Sequence, residues 1–202
     1  MMSRIAQLAA LAAVCALGVL AGCASPHSHL YTLSASATPA AQSDPRTAAL
    51  VVVVGPVSIP AIVDAPQIVV TTSANQVSLE EFNRWASPLQ SNIAHVVADD
   101  LVAMLGTPRV SLFQTSQSVD ADYRVAIEVQ TFQSTPGVAA TLSALWTVRR
   151  VKDGKTETGR TTVREPSTQQ GYDALAAAHS RALGRLSQEI ADAIRTLDRA
   201  GA

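Results

Sequence analysis

The chain has few of the residue types on which many binding and catalytic sites depend. Its 202 residues include only two cysteines, and aromatic residues make up 4%. Fifteen Lys and Arg against sixteen Asp and Glu leave a net charge of −1, so no cationic excess supports binding to duplex nucleic acid. The scarcity of aromatic side chains also disfavours a stacking platform for single strands. Hydrophobic residues, at 48%, are sufficient for the core of one domain.

Both cysteines lie in the first 23 residues, in and just after a segment with the features of a secretory signal. Arg4 precedes an apolar run over residues 5–20, as in the leader of an exported protein. The junction Leu20-Ala21-Gly22-Cys23 resembles the lipobox of bacterial lipoproteins, in which the cysteine is acylated and the chain is cut before it. We therefore predict a signal peptide over residues 1–22 and acylation of Cys23. The alternative is a chance cysteine after an ordinary signal peptide.

Acylation of Cys23 leaves no thiol in the mature chain, because Cys15 lies inside the predicted leader. This excludes a disulfide, a cysteine zinc site and a cysteine nucleophile. Ala24, in place of an aspartate, resembles the sorting pattern of lipoproteins exported to the outer membrane. We expect a protein held by outer-membrane lipid through Cys23 and facing the periplasm.

The segment after the anchor has the composition of a linker. Residues 34–48 include two prolines and no Val, Ile, Leu or aromatic side chain. We therefore predict a lipidated N-terminus and tether over residues 23–48 and a folded domain over residues 49–202. The stretch Leu30-Tyr31-Thr32-Leu33 leaves an alternative, in which it pairs with the sheet and the following segment is a loop on the domain.

Hydrophobic periodicity predicts an α/β fold in which a mixed sheet is packed by two main helices. The β-branched run Leu50–Val54 indicates a strand buried on both faces, which we place at the centre of the sheet. Alternation predicts further strands, of which the last has a weak apolar face and suits a sheet edge. These elements are a hairpin of strands at 67–72 and 76–79, a helix from Ser87-Pro88 to Gly106, strands at 121–131, 142–148 and 156–164, and a helix over 172–199.

No motif for catalysis is present. The chain has no Gly-x-Ser-x-Gly elbow, Walker loop, dinucleotide fingerprint or His-Glu-x-x-His sequence. His27 and His29 lack a third ligand, so we predict neither a metal site nor a cofactor. His95 and His179, isolated on the predicted helices, are interpreted as surface or partly buried residues. Asp99 and Asp100 are interpreted as part of a solvated helix face rather than as a carboxylate pair for acid–base chemistry. We expect that the protein is not an enzyme.

Two local features are candidate partner-binding sites. The sequence around the last predicted hairpin contains six cationic and three anionic residues. Of the cationic residues, we select Arg149, Arg150, Arg160 and Arg164 as candidates for binding a partner. The alternative is a solubilising edge strand, protected by cations against unwanted pairing. Trp85, just before a helix, is the other candidate, although core packing is the stronger interpretation for this side chain.

Several stretches together resemble the PqiC/YmbA family, the ABC-type transport auxiliary lipoproteins. They are the lipobox, Tyr31-Thr32-Leu33, Val54-Gly55-Pro56-Val57-Ser58-Ile59-Pro60, Asp64-Ala65-Pro66-Gln67-Ile68-Val69 and Arg84-Trp85-Ala86-Ser87-Pro88-Leu89. The family often has an arginine where this chain has Ala65. The resemblance implies a fold like the amino-terminal domain of TolB.

The resemblance also implies a function. It points to an outer-membrane lipoprotein that works with MCE-domain proteins in lipid movement between membranes, by docking rather than by chemistry. A homo-oligomer would suit such a role, with subunit contacts at the edge strand 156–164. The alternative is a structural envelope lipoprotein that binds peptidoglycan or an outer-membrane assembly complex. A small lipid carrier with an internal apolar cavity is a third interpretation.

Overall fold

The computed structural model describes residues 27–38, 44–113, 120–167 and 169–201. Within these ranges eight strands form one mixed sheet, and three α-helices accompany it, which confirms the predicted mixed α/β class. The elements in chain order are β1 His29–Tyr31, α1 Pro45–Ala48, β2 Val52–Ser58, a 3₁₀ turn Ala61–Val63, β3 Gln67–Ser73, β4 Gln76–Trp85, α2 Leu89–Leu105, β5 Val110–Leu112, β6 Tyr123–Thr135, β7 Ala139–Arg150, β8 Thr156–Pro166 and α3 Tyr172–Arg199.

Strand β6 is the centre of the sheet. On one side it pairs antiparallel with β7, which pairs in turn with β8. On the other side its first half pairs with β2, and its second half reaches β3, so β2–β5 and β3–β4–β1 extend the sheet as two arms. The prediction that the Leu50–Val54 run is the central strand is therefore wrong, although Val52, Val53 and Val54 are buried as that run predicted.

Helices α2 and α3 pack side by side on one face of the sheet. Helix α2 lies on β2 and β5, and α3 lies on β7 and β8. The core between these layers includes Leu101, Val125, Leu142, Leu186 and Ile190, each with at most 3% of its surface exposed. Each such side chain contributes about 1.5–3 kcal/mol by burial. No helix of the described ranges is long and apolar enough to span a membrane.

The ends of α2 follow local backbone chemistry. Gly106 closes the helix in the left-handed conformation, with φ 69°, and its N–H donates to the Val102 carbonyl at 3.0 Å. At the other end Pro88 is the N-cap residue, one position later than the predicted Ser87 cap, and no side chain caps the helix. Proline lacks the N–H that a helix start leaves unpaired, so it suits this position.

The segment predicted as a tether lies partly on the domain. Residues 29–31 form β1, and residues 32–38, which we call the N-terminal strap, cross the helices. Leu33 is 5% exposed, and the Ser34 N–H donates to Ser180 Oγ at 3.1 Å. The alternative in which the Leu30–Leu33 stretch joins the sheet is the one the structure shows. Residues 39–43 and the Cys23 anchor lie outside the described residues.

Candidate docking surface

Within the described ranges, one face of the strands β6, β7 and β8 carries no helix. Alternation along β7 makes the two faces differ, because successive side chains point to opposite sides of a strand. Between buried neighbours, five residues of β7 are partly or fully exposed, namely Thr141, Ser143, Leu145, Thr147 and Arg149. We call the surface formed by these residues and their cross-strand partners in β6 and β8 the open face. It is the best candidate for a docking surface in the described chain.

Three of the predicted arginines lie on the open face. Strand register places Arg160 opposite Leu145, Arg164 opposite Thr141, and Arg149 opposite both Arg124 and Thr156. Paired residues on neighbouring strands point to the same side of a sheet. The fold therefore brings arginines from Arg124 to Arg164, up to 40 positions apart in sequence, onto one surface.

The charge of the open face is unbalanced. Its register positions in β6–β8 hold Arg124, Arg149, Arg160 and Arg164 but a single acid, Glu128, next to Leu145. The Arg160 guanidinium donates to Gln130 Oε1 at 2.6 Å, which holds this side chain along the sheet surface. A cationic, threonine-rich surface of this kind suits an anionic partner, because complementary charge steers the encounter and selects against like-charged surfaces.

Arg150 is the exception among the predicted cations, because it points to the opposite face. Its side chain is 3% exposed, and it donates to both carboxylate oxygens of Asp153, at 3.0 and 2.6 Å, and to the Leu197 carbonyl. The guanidinium lowers the pKa of Asp153 to about 2. The proposal of Arg150 as a partner-binding residue is therefore corrected: this side chain joins the β7–β8 turn to the end of α3.

Trp85 is also internal, which corrects its candidacy as a surface anchor. It is 6% exposed and packs edge-on against Phe132 and His179, with ring centroids 6.2 and 6.5 Å apart. The core interpretation made from the sequence is the one that the structure shows. The burial follows from its position at the end of β4, beneath the first turns of α3.

His179 is buried rather than at the surface, contrary to the prediction. Its ring stacks on Phe132 at 3.8 Å, and its Nε2 forms a 2.8 Å hydrogen bond with Ser134 Oγ. Burial lowers the pKa of His179 to about 3, so the ring is neutral at pH 7. Although Ser134 and His179 resemble part of a hydrolytic dyad, both are buried and no carboxylate contacts Nδ1. The pair is suited to packing rather than to nucleophilic chemistry.

Asp100 is likewise buried, where the sequence pattern predicted a solvated position. Its Oδ1 accepts hydrogen bonds from the Ser36 and Ala37 N–H groups at 2.9 Å each, and its Oδ2 accepts one from Ser187 Oγ at 3.0 Å. Burial raises the pKa of Asp100 despite these hydrogen bonds. The carboxylate thus fastens the N-terminal strap to both long helices.

Other candidate sites are weaker. Among the described residues no three His, Cys, Asp or Glu side chains stand close enough to hold a metal ion. A groove of about 550 Å³ opens between β2, β5 and the start of α2, lined by residues that include Val54, Pro56, Ala94 and Phe113. Its described lining includes His95 but no carboxylate, lysine or arginine. A single histidine without a charged partner in the lining does not form the paired groups that general acid–base or metal-assisted chemistry needs.

Comparison with known families decides the broad identity. The family of ABC-type transport auxiliary lipoprotein components matches residues 31–191. The chain belongs to this family. The match confirms the PqiC/YmbA resemblance and includes β1 and the N-terminal strap, which the structure places on the domain. An ABC-type transport auxiliary lipoprotein is an accessory part of a transport system and is associated with a membrane.

Solved structures support the fold of this auxiliary lipoprotein. Protein XCC0632 from Xanthomonas campestris, assigned to DUF330, superposes with a TM-score of 0.70 at 21% identity, covering 87% of this chain and 100% of that one. The crystal structure of an uncharacterized protein superposes with a TM-score of 0.67 at 19% identity, covering 84% and 99%. At these identities the likeness concerns the fold. No curated protein matches the chain significantly.

The open face also includes residues that the sequence analysis did not select. Gln130, Ser143, Thr147 and Thr158 lie among the arginines, and Arg124 faces Arg149. The alternation of β7 contained most of the signal, because every second residue from Thr141 to Arg149 is polar except Leu145. Periodicity alone does not say which face the helices cover.

Proposed function

We propose that this auxiliary lipoprotein is an adaptor of an MCE-type lipid transport system, anchored in the outer membrane through acylated Cys23 and facing the periplasm. The observation that carries the proposal is the family match over residues 31–191. The open face supplies the docking surface that such a role requires. In this proposal the protein binds and positions a partner, and it catalyses no reaction.

The partner's surface follows from the chemistry of the open face. With Arg149, Arg160 and Arg164 on one side of the sheet, an MCE-domain protein would present carboxylates to it. Exposed charge pairs contribute more to association rate and specificity than to affinity. Binding should therefore weaken as salt is raised, since charges at this surface are screened within about 8 Å at physiological ionic strength.

The test is affinity capture of the full-length lipoprotein from gently solubilised envelopes, followed by mass spectrometry. Recovery of an MCE-domain protein is expected, and Cys23→Ala should reduce it by removing the protein from the membrane. The double variant Arg160→Ala/Arg164→Ala should lose the partner while remaining folded. Arg181→Ala/Arg185→Ala is the matched control, because it also removes two arginines, and these lie on α3, away from the open face.

The outcome that contradicts the adaptor proposal is specific. Recovery of cell-wall fragments or outer-membrane assembly proteins alone would favour the structural-lipoprotein alternative. Equal loss of the partner in Arg181→Ala/Arg185→Ala and in Arg160→Ala/Arg164→Ala would show that general surface charge, rather than the open face, drives capture.

We further propose that the chain forms a homo-oligomer through β8. This strand pairs only with β7 in the described chain, so its outer edge can pair with another copy. Light scattering of the detergent-solubilised lipoprotein checks this proposal. A monomeric mass would contradict it.

A further inference from the structure

The two ends of the sheet differ in charge and in apolar exposure. The turns of the β3–β4 and β6–β7 hairpins lie at one end, because β3 and β6 run in the same direction. The 3₁₀ turn after β2 lies along the second half of β6, where it lines one groove with Val69 and Val77. Four aliphatic side chains are exposed in this region: Ile62 at 59%, Val77 at 40%, Leu79 at 55% and Val138 at 48%. We call these four residues, together with the β3–β4 and β6–β7 turns, the apolar end.

Charge is missing from the two hairpin segments of the apolar end, although the end of β8 places Arg164 and Glu165 beside the β6–β7 turn. Residues 65–79, which include β3, its turn and the start of β4, contain no charged side chain, and neither do residues 129–148. At the opposite end, the β7–β8 turn contains Lys152, Asp153 and Lys155, and Asp122 lies beside it. Exposed hairpins in water normally carry charge, so this absence needs a physical reason.

The direction of the chain links the apolar end to the lipid anchor. Strand β1 runs parallel to β4, with His29 opposite Asn83 and Tyr31 opposite Trp85. The backbone therefore enters β1 from the side on which β4 begins, at Gln76. Six residue steps separate Cys23 from His29, and a fully extended chain spans about 3.4 Å per residue. Cys23 thus lies within about 20 Å of β1.

We propose that the apolar end rests on the phospholipid surface of the membrane that holds acylated Cys23. Ile62, Val77, Leu79 and Val138 then contact the boundary between headgroups and acyl chains, where exposed aliphatic surface is removed from water. No charged group of the two hairpin segments has to lose its hydration on contact. This inference rests on the proposed acylation of Cys23.

A second copy of the chain is a poorer occupant of this end. All copies anchored in one membrane direct the same end toward it, because the anchor segment enters every copy in the same way. Contact between two apolar ends would require one copy to turn away from its own anchor. Neighbouring copies meet more readily through strand edges such as β8, which lies at the side of the sheet.

The test compares two valines of almost equal exposure at opposite ends. Val77→Cys, at 40% exposure, and Val151→Cys, at 41%, each receive a polarity-sensitive thiol fluorophore in the full-length acylated protein. The proteins are inserted into phosphatidylethanolamine–phosphatidylglycerol vesicles with or without brominated acyl chains, which quench nearby fluorophores. We expect loss of fluorescence for Val77→Cys and no change for Val151→Cys. Equal quenching at both positions would overturn the inference.

Two controls separate this inference from the anchoring proposal. Leu79→Cys, at 55% exposure, repeats the measurement should Val77→Cys fail to fold. Intact mass spectrometry reports acylation of Cys23 in each sample. Absence of the acyl mass would overturn the anchoring and this inference together, whereas an acylated protein without quenching at residues 77 and 79 would overturn this inference alone.

Discussion

The two faces of β7 differ in burial and in composition. On the covered face Leu142, Ala144 and Val148 are 0% exposed beneath α3. On the open face Ser143, Leu145 and Thr147 remain partly exposed, and Arg149 extends into solvent. Because successive residues of β7 point to opposite faces, substitutions at adjacent positions affect either the core or the candidate docking surface. Stability and partner binding are therefore separable by experiment.

The largest expected difference between the two faces of β7 is in the free energy of unfolding lost when a leucine on each face is replaced by alanine. Leu142→Ala should lower the free energy of unfolding by about 2–5 kcal/mol, because it leaves a cavity in a fully packed core. Leu145→Ala, on the open face, should cost about 1 kcal/mol, since less surface is buried there. Denaturant unfolding of both variants measures the contrast. Equal losses would show that the open face is covered in solution.

Substitution of Asp100 tests how strongly helices α2 and α3 hold the N-terminal strap. Asp100→Ala removes the acceptor of the Ser36 and Ala37 N–H groups and should cost about 2–3 kcal/mol, the scale of hydrogen bonds to a charged group. Hydrogen exchange at these two amides should speed up. Asp100→Asn is the control, because its amide oxygen still accepts from both N–H groups. Unchanged exchange in Asp100→Ala would contradict this role of the carboxylate.

The covered face should also make stability depend on pH through His179. Its folded-state pKa of about 3 lies below the value of 6.5 expected when the chain is unfolded. The unfolded chain therefore binds the proton first, and stability is lost as pH falls below 6.5, by about 2 kcal/mol at pH 5. His179→Phe should remove this contribution. The raised pKa of Asp100 makes stability change with pH in the opposite direction. The unfolding free energies of the unsubstituted protein and of His179→Phe are therefore compared at each pH.

The smallest expected effect on stability belongs to the open-face arginines. Arg160→Ala/Arg164→Ala should change the unfolding free energy by less than about 0.5 kcal/mol, as exposed charges usually do. Thermal unfolding checks this expectation beside the capture experiment. A large destabilisation would remove the distinction between the faces, because loss of the partner would then follow from unfolding.

The strands and helices were largely predictable, because their hydrophobic periods are regular. The second long helix was predicted over the residues that α3 occupies, and β6, β7 and β8 extend only a few residues beyond their predicted bounds. Arg149 and Arg150 lie on opposite faces of β7, which the sequence analysis did not separate because its predicted strand ended at residue 148, and periodicity alone could not say which face the helices cover. That choice depends on the packing of α2 and α3.

Contacts between residues that are distant in sequence explain why the burial of Asp100, His179 and Trp85 could not be read from the sequence. Asp100 and Asp99 look alike on an isolated helix, and Asp100 is buried because the strap 63 residues earlier folds over it and Ser187 of α3 contacts its carboxylate. His179 is buried because Phe132 and Ser134 come from the end of β6. Trp85 has the composition of a surface anchor but lies where β4 passes beneath α3. A single sequence contains no direct signal for such pairings.

The arrangement of β1 has a mechanical consequence. If Cys23 is the anchor, as proposed, a pull that reaches His29 along the axis of β1 loads the bonds between β1 and β4 in shear, so that they resist together rather than opening one at a time. Immediately after β1, the strap is fastened at Ser180 and Asp100, and the load is shared with both long helices. Force from a moving partner would therefore strain the whole domain before it detached the anchoring strand.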